Sequence, residues 1–271
     1  MDLLSHSAKL TLPELRNTLI RLEDTIIFGL IERCQFKHND IIYQPGAFQF
    51  ATGYKGSFLQ NFLWELEKVH AKVRRYQSPD EYPFFQDLPE PILPPLDYPE
   101  ILHPNEININ DKIYNMYTHD IVPQACAPGD DKNYGSSATR DIECLHALSK
   151  RIHYGKFIAE AKFQDPKYHD KYVQLIRSKD NQGIYDLLTN LEVEKKLLRR
   201  LHRKAMVYGQ DLDEEVPSPY PNDDPPSLHS SFSSLSQPSK INADLVVQLY
   251  EQYVIPLTKE VEVEYLLQRL D

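Results

Sequence analysis

Residues 139–163, TRDIECLHALSKRIHYGKFIAEAKF, decide the fold class of this chain. Apolar side chains recur in this stretch mostly at intervals of three or four residues, at Ile142, Leu145, Leu148, Ile152 and Ile158. Such intervals place side chains on one face of a helix with 3.6 residues per turn. The spacing predicts one long helix that begins at Ser136 or Thr139 and ends at Phe163.

The N-terminal third of the chain predicts two more long helices. Thr11-Leu12-Pro13-Glu14 combines a capping box with a proline in the first turn, and an apolar stripe follows it at Leu15, Leu19, Leu22, Ile26 and Leu30. A second helix begins after Gly56-Ser57 and ends before Ser78-Pro79. Its apolar face is formed by Phe58, Phe62, Leu66, Val69, Val73 and Tyr76.

The remainder of the chain is also predicted to be helical. Residues 107–122 form one helix, and two segments after Phe163 continue to Gly209, a plausible helix stop. The last helix begins at Asn242 as its N-cap and is kinked by Pro256. No stretch shows the sustained alternation of a β-strand. We therefore expect an all-α fold, a single-domain bundle of long helices with short connecting helices that spans residues 1–271.

Two proline-rich segments interrupt the helices. Residues 79–104 cannot form one helix, but Phe84, Phe85, Ile92, Leu93 and Leu96 are too apolar for a solvated tether. This segment is predicted to be a packed, irregular connector. Residues 216–239 are rich in serine, proline and aspartate, which predicts a flexible loop.

Composition excludes several classes of protein. Thirty lysines and arginines against forty aspartates and glutamates give a net charge of −10, which argues against a nucleic-acid partner. No apolar run approaches the 18 residues or so of a membrane span, and the N-terminus resembles neither a signal nor a transit peptide. Three widely spaced cysteines and no metal-ligand spacing predict a cytoplasmic protein without a metal site.

Arg151 and Lys162 are candidate ligand-binding cations. Eleven residues at about 100° each amount to roughly three turns plus about 20°, so both lie on one helix face, about 16 Å apart. The small and apolar residues between them leave room for a ligand, with a cation at each end of the space. Arg16, in the second turn of the first helix, is a third candidate. The alternative for all three is an ordinary solvated surface cation.

Two pairs of residues four positions apart are candidate hydrogen-bonding groups. Glu262, four residues after Thr258, interrupts an apolar stripe, so burial would raise its pKa and let it donate a hydrogen bond as a protonated acid. Alternatively, Glu262 pairs with a basic residue and stabilises the fold. Asn190 and Glu194 start another helix, where they could bind a ligand or could only cap the helix and complement its dipole.

Two other segments could each bind an anion. Arg74 and Arg75 end the second helix, where the helix dipole alone explains a pair of cations. The run Asn133-Tyr134-Gly135-Ser136 precedes a helix start and could present backbone N–H groups to an anion.

Several long runs resemble the fungal-type, all-helical chorismate mutases. They are residues 135–145 (GSSATRDIECL), 151–163 (RIHYGKFIAEAKF), 256–267 (PLTKEVEVEYLL), 21–28 (RLEDTIIF) and 55–59 (KGSFL). The runs are distributed over nearly the whole chain, in the family's order. The resemblance implies an all-α homodimer that converts chorismate to prephenate, in phenylalanine and tyrosine biosynthesis, without cofactor or metal.

The resemblance also implies roles for the candidate residues. Arg16 and Arg151 would hold the two carboxylates of chorismate, with assistance from Asn190 and Thr258. Lys162 and a protonated Glu262 would donate to the ether oxygen of the breaking bond, and Glu194 would accept from the ring hydroxyl. Tyrosine as inhibitor and tryptophan as activator would share a site near the dimer interface. The residues implied there are Arg74, Arg75, Asn133, Gly135, Ser136 and Thr139.

Three departures from the family concern regulation. Loop 216–239 is longer and richer in serine and proline than expected, Asn242 replaces an expected threonine, and the loop before Gly135 is one residue shorter. Two other readings remain open: a non-catalytic helical sensor of tyrosine or tryptophan, and a helical scaffold with a proline-rich binding loop.

Overall fold

The computed structural model describes residues 3–5, 10–210 and 239–270. These residues form α-helices, short 3₁₀ and π turns, and no strand, which confirms the predicted all-α fold. The predicted loop 216–239 lies outside the described residues except for Ser239. The α-helices are α1 (Leu12–Arg33), α2 (Phe58–Lys72), α3 (Asn110–Met116), α4 (Val122–Ala125), α5 (Tyr134–His153), α6 (Gly155–Phe163), α7 (His169–Arg177), α8 (Asn181–Leu188), α9 (Leu191–Tyr208), α10 (Ala243–Leu249) and α11 (Ile255–Leu267).

Polar caps define where the long helices begin. At α2, the Ser57 hydroxyl accepts from the Gln60 N–H at 3.1 Å, and the Gln60 side chain accepts from the Ser57 N–H at 3.0 Å. At α1 the capping box predicted for Thr11 is incomplete. Thr11 accepts from the Glu14 N–H at 3.4 Å, but its hydroxyl donates to the Glu14 carboxylate instead of the carboxylate accepting from the backbone. A single cap bond therefore suffices there, with Pro13 in the first turn.

The long helix predicted from Ser136 to Phe163 is divided at Tyr154, so the prediction of one uninterrupted helix was wrong. α5 ends at His153 and α6 begins at Gly155. A Cβ atom at Gly155 would lie 2.8 Å from the carbonyl oxygen of Thr258, so the backbone of α11 passes directly against the start of α6. This close approach brings the functional side chains of α5, α6 and α11 to one crevice.

The kink predicted at Pro256 takes the form of a π turn. Residues Tyr250–Val254 adopt π-helical hydrogen bonding between α10 and α11. Proline has no N–H, and its ring collides with the carbonyl four residues earlier, so one widened turn lets the helix continue past it. The same arrangement occurs at Tyr117–Ile121, which precedes Pro123 by the same number of residues.

The hydrophobic core consists of a large cluster with contributions from almost every helix and a smaller one between α1 and α6. α1 packs on α5, and α6 packs on α11. In the proline-rich connector, Phe84 and Phe85 pack against this core, and their N–H groups donate to the buried Glu67 carboxylate at 2.9–3.0 Å. Ile92 and Leu93 are 73% and 44% exposed, so the prediction that they pack was wrong. The connector is held at Ile92 by a backbone hydrogen bond instead, from the Ile92 N–H to the Lys72 carbonyl at 3.0 Å.

Three further findings concern the described ranges. Cys34, Cys126 and Cys144 are free thiols. No group of three or more His, Cys, Asp or Glu side chains in these ranges is arranged to hold a metal ion. No helix in them has the length and apolar character needed to cross a membrane.

Candidate active site

A cavity of about 760 Å³ opens between α1, α5, α6, α7, α8, α9 and α11. Its apolar wall includes Leu12, Leu15, Leu19 and Ile158. All seven residues predicted for catalysis and substrate binding line it: Arg16, Arg151, Lys162, Asn190, Glu194, Thr258 and Glu262. These residues come from five helices and the α8–α9 junction, so the fold brings together groups that are up to 246 positions apart (Arg16 to Glu262).

Arg151 is a buried cation without a carboxylate partner. Its residue is 4% exposed, and its one hydrogen bond within the described chain runs from Nη1 to the Thr258 hydroxyl at 3.2 Å. Its Nε is buried and has no partner. A guanidinium held in this state is costly unless an anion joins it. The last turn of α5 therefore presents a site for an anionic group.

Lys162 and Glu262 meet in the same cavity, on α6 and α11. Nζ of Lys162 donates to the Leu188 carbonyl at 3.0 Å and lies 3.4 Å from Oε2 of Glu262. Burial raises the pKa of Glu262 above its ordinary value, and the nearby cations Lys162, Arg151 and Lys259 offset only part of this effect. Glu262 therefore keeps its proton to a higher pH than an exposed glutamate, as predicted from its position in an apolar stripe.

The remaining predicted residues occupy the ends of helices or the rim. Asn190 is the N-cap of α9 and accepts from the Val193 N–H at 3.2 Å, while Glu194 lies in that helix's first turn. The Thr258 hydroxyl donates to the Val254 carbonyl at 2.6 Å, and its oxygen accepts from Arg151. Arg16 is exposed at the rim and forms no hydrogen bond or ion pair within the described residues.

Lys259 also lines the cavity, and sequence reasoning missed it. Its residue is 7% exposed, and its Nζ lies 2.7 Å from Oε1 of Glu194 and 3.0 Å from the Thr189 hydroxyl. Lys259 precedes Glu262 by three residues, which places both on one face of α11. That spacing was the available signal, but only the fold shows that Lys259 reaches the cavity and Glu194.

The charges that line the cavity favour an anion. Five cations and four carboxyl groups face it, and protonation of Glu262 leaves an excess of two positive charges. The nine residues are Arg16, Arg151, Lys162, Lys171, Lys259, Asp165, Asp186, Glu194 and Glu262. The cavity thus suits a compound with two negative charges and hydrogen-bond acceptors, although the whole chain is acidic.

The two halves of the predicted effector site lie apart from this cavity. Arg75 pairs with Glu81 at 3.0 Å, and Arg74 donates to the Pro94 carbonyl. At the start of α5, the Thr139 hydroxyl donates to the Gly135 carbonyl at 2.8 Å, and Asn133 is the residue before the helix. Ser136 is exposed there. Within the described residues, no hydrogen bond joins either arginine to this α5 segment.

Comparison with known proteins settles the family. A family model described as chorismate mutase type II matches residues 133–263. A chorismate mutase from Trichoderma parareesei is 46% identical over 279 aligned residues, which cover 100% of this chain and 97% of that protein. The chain belongs to the chorismate mutase family. As a chorismate mutase it is an isomerase.

Solved chorismate mutase structures have the same fold. Aro7p chorismate mutase from Candida albicans, in complex with L-Trp, matches with a TM-score of 0.86 and 42% identity, over 100% of this chain and 95% of that one. AtCM1 with tyrosine in its allosteric site matches with a TM-score of 0.82 and 47% identity, over 98% of this chain and 99% of that one. Likeness at this level extends over both the cavity and the separate α2–α5 region.

Proposed function

We propose that this cavity converts chorismate to prephenate by an intramolecular Claisen rearrangement. The observation that carries the proposal is Arg151, a buried guanidinium with an unpartnered Nε and no carboxylate partner, at the wall of a cavity with surplus positive charge. Chorismate carries two carboxylates and rearranges without a covalent intermediate. The cavity supplies what such a reaction requires, namely cations, hydrogen-bond donors and a shaped apolar wall.

Arg151 and Arg16 hold the two carboxylates in this proposal. A guanidinium forms two parallel hydrogen bonds with a carboxylate, which fixes orientation as well as charge. Thr258, already bonded to Arg151 at 3.2 Å, and Asn190 at the start of α9 assist in carboxylate binding. With both ends of the substrate held, the enolpyruvyl group is kept in the reactive chair and loses its rotational freedom before the reaction.

Lys162 and Glu262 act at the ether oxygen of the breaking C–O bond. Negative charge grows on this oxygen in the transition state, so donors aimed at it bind the transition state more tightly than the substrate. Lys162 donates as an ammonium, and Glu262 donates as a protonated acid because burial raises its pKa. One donor of this kind typically contributes about 3–4 kcal/mol to catalysis. Glu194 accepts a hydrogen bond from the ring hydroxyl.

We infer that the enzyme is a homodimer that tyrosine inhibits and tryptophan activates at a shared site. Arg74 and Arg75 form one side of it, and the α5 segment with Asn133, Gly135, Ser136 and Thr139 forms the other. As the resemblance to the family implies, the two sides meet near the interface between two copies. Solved relatives that contain L-Trp or tyrosine support the choice of effectors. A cytoplasmic location, expected from the sequence, remains part of this proposal.

An absorbance assay that follows the loss of chorismate tests the activity. The purified, folded chain is expected to consume chorismate and yield prephenate without any added metal or coenzyme. Absence of turnover by a protein with a cooperative thermal transition would refute the proposed function. Chorismate saturation curves with and without tyrosine and tryptophan test the direction of regulation, and sedimentation tests the dimer.

A further inference from the structure

Lys259 is the most enclosed ammonium group beside the cavity that the proposed mechanism leaves without a role. Its side chain is 8% exposed, against 24% for Lys162, and it lies on α11 between Thr258 and Glu262. A lysine in such surroundings requires compensating partners. Here they are the Glu194 carboxylate at 2.7 Å, the Thr189 hydroxyl at 3.0 Å and the Tyr185 ring, whose centre is 4.7 Å from Nζ.

The contact with Glu194 restrains that carboxylate asymmetrically. Lys259 binds Oε1, while Oε2 forms no hydrogen bond within the described residues. Glu194 has no other cation partner there, and its side chain is 24% exposed. Without Lys259 the carboxylate would rotate freely at the start of α9. With it, one oxygen is fixed and the second is left to accept a hydrogen bond.

The same ammonium also ties down the junction between α8 and α9. Lys259 donates to the Thr189 side chain, and Lys162 donates to the carbonyl of the preceding residue, Leu188. Two lysines from α11 and α6 thus hold two consecutive residues from different sides. Asn190, the next residue, caps α9 and sets the position of Glu194.

We propose that Lys259 is a positioning residue of this active site, which orients the Glu194 carboxylate and anchors the α8–α9 junction so that Glu194 can accept from the substrate's ring hydroxyl. The inference rests on the proposed function, since it concerns the same cavity. It assigns Lys259 no contact with the reacting atoms. Because the ring hydroxyl is bound in the substrate and the transition state alike, loss of Lys259 affects KM more than kcat.

The test is a double-mutant cycle of Lys259→Met and Glu194→Gln, assayed for chorismate turnover. Each single variant is expected to raise KM about tenfold, the size typical of a hydrogen bond to a charged group, with kcat within about threefold. The double variant is expected to match the worse single variant, because both changes remove the same interaction. Lys259→Arg, which keeps the charge and a donor, is expected to recover much of the loss.

A second readout separates positioning from a merely structural role. Glu262 is faced by Arg151 from α5, Lys162 from α6, Tyr172 from α7 and Lys259 from α11. Lys259 lowers the pKa of Glu262, so Lys259→Met raises it further and moves the alkaline limb of kcat/KM to higher pH. A change in packing alone would leave this limb in place.

Lys112→Met is the matched control, since Lys112 forms an exposed ion pair with Glu260 on the outer side of α11. It removes a lysine paired with a glutamate, as Lys259→Met does, and its KM is expected to remain within about twofold. The proposal is overturned if Lys259→Met leaves KM unchanged, or if its effect multiplies with that of Glu194→Gln. Failure of the proposed function is distinguishable, because the unmodified enzyme would then show no turnover at all.

Discussion

Nζ of Lys162 lies 3.4 Å from Oε2 of Glu262, and the two groups come from helices that touch through a glycine, Gly155. In an ordinary ion pair the carboxylate would only neutralise the ammonium. Here burial raises the pKa of Glu262 despite the neighbouring cations, so Glu262 keeps its proton to a higher pH than an exposed glutamate does. In the proposed mechanism both groups then donate to one oxygen. The relationship predicts how activity depends on pH.

We expect Glu262→Gln to extend activity to higher pH. A raised pKa means that Glu262 is protonated below that pKa and loses its donor as the pH rises through it, so kcat/KM of the unmodified enzyme falls on the alkaline side. An amide donates at every pH. The measurement is a pH profile of kcat/KM. Glu260→Gln, on the partly exposed face of the same helix, serves as control, and an unchanged alkaline limb in Glu262→Gln contradicts the role of Glu262.

Arg151→Met should separate activity from stability. Loss of the guanidinium is expected to lower kcat/KM by about 10²–10³-fold, the size typical of removing one partner of a buried, hydrogen-bonded charge pair. The free energy of unfolding should stay the same or rise, because Arg151 is buried without a carboxylate partner and methionine fills similar space. Urea denaturation tests the expected stability, and steady-state kinetics tests the expected loss of kcat/KM. A loss of stability by several kcal/mol would instead make Arg151 a structural residue.

Arg33→Met, in contrast to Arg151→Met, should lower the free energy of unfolding. Arg33 is also buried, but its Nε donates to Asp141 at 2.7 Å, and Asp141 accepts from Tyr43 and Tyr117 as well. Removing one partner of a buried pair typically costs about 3–5 kcal/mol because the other charge is left uncompensated. We expect a loss of that size in urea denaturation. Arg140→Met, which breaks an exposed pair with Glu143, should change stability by about 0.5 kcal/mol or less.

The sequence predicted helices where local signals were sufficient. The caps at Ser57, Asn190 and Asn242 and the proline in α1 act within a few residues of themselves, and each start was found to within about one residue. The apolar periodicity did not reveal the break at Tyr154. The Thr258 carbonyl, which lies against the next residue, Gly155, is more than a hundred positions away in the sequence. Gly209 is the C-cap of α9, as expected, but in ordinary helical conformation; a Cβ there would lie 2.5 Å from the Ser239 hydroxyl.

For the site, too, the sequence predicted local properties of residues but not their contacts with distant residues. Periodicity showed that Arg151 and Lys162 share a face and that Glu262 is buried, but it could not distinguish a ligand-binding cation from a surface one. That required the resemblance to a family, together with the geometry that places the residues around one cavity. The sequence did not predict Lys259 as a site residue, because its contact with Glu194 joins two helices and spans 65 positions in the sequence.

Effector binding should depend on competition between a ligand carboxylate and Glu81 for Arg75. Arg75 already forms an ion pair with Glu81 at 3.0 Å, and Glu81 forms a second ion pair with Lys150 at 2.8 Å. A tyrosine carboxylate that binds Arg75 must displace or share this partner. We expect Arg75→Ala to abolish the response to tyrosine and tryptophan, as measured by chorismate saturation curves at increasing effector concentration.

Glu81→Gln provides the opposite test at the same contact. It removes the competing charge but keeps a hydrogen-bonding side chain, so the tyrosine concentration needed for half-maximal inhibition should fall severalfold. Because Lys150 retains Asp80 at 2.8 Å as a partner, the variant should remain folded, which thermal unfolding can verify. If Arg75→Ala and Glu81→Gln shift that concentration in the same direction, or not at all, the effectors do not bind through Arg75. The opposing signs thus test the binding contact itself, independently of how the signal reaches the active site.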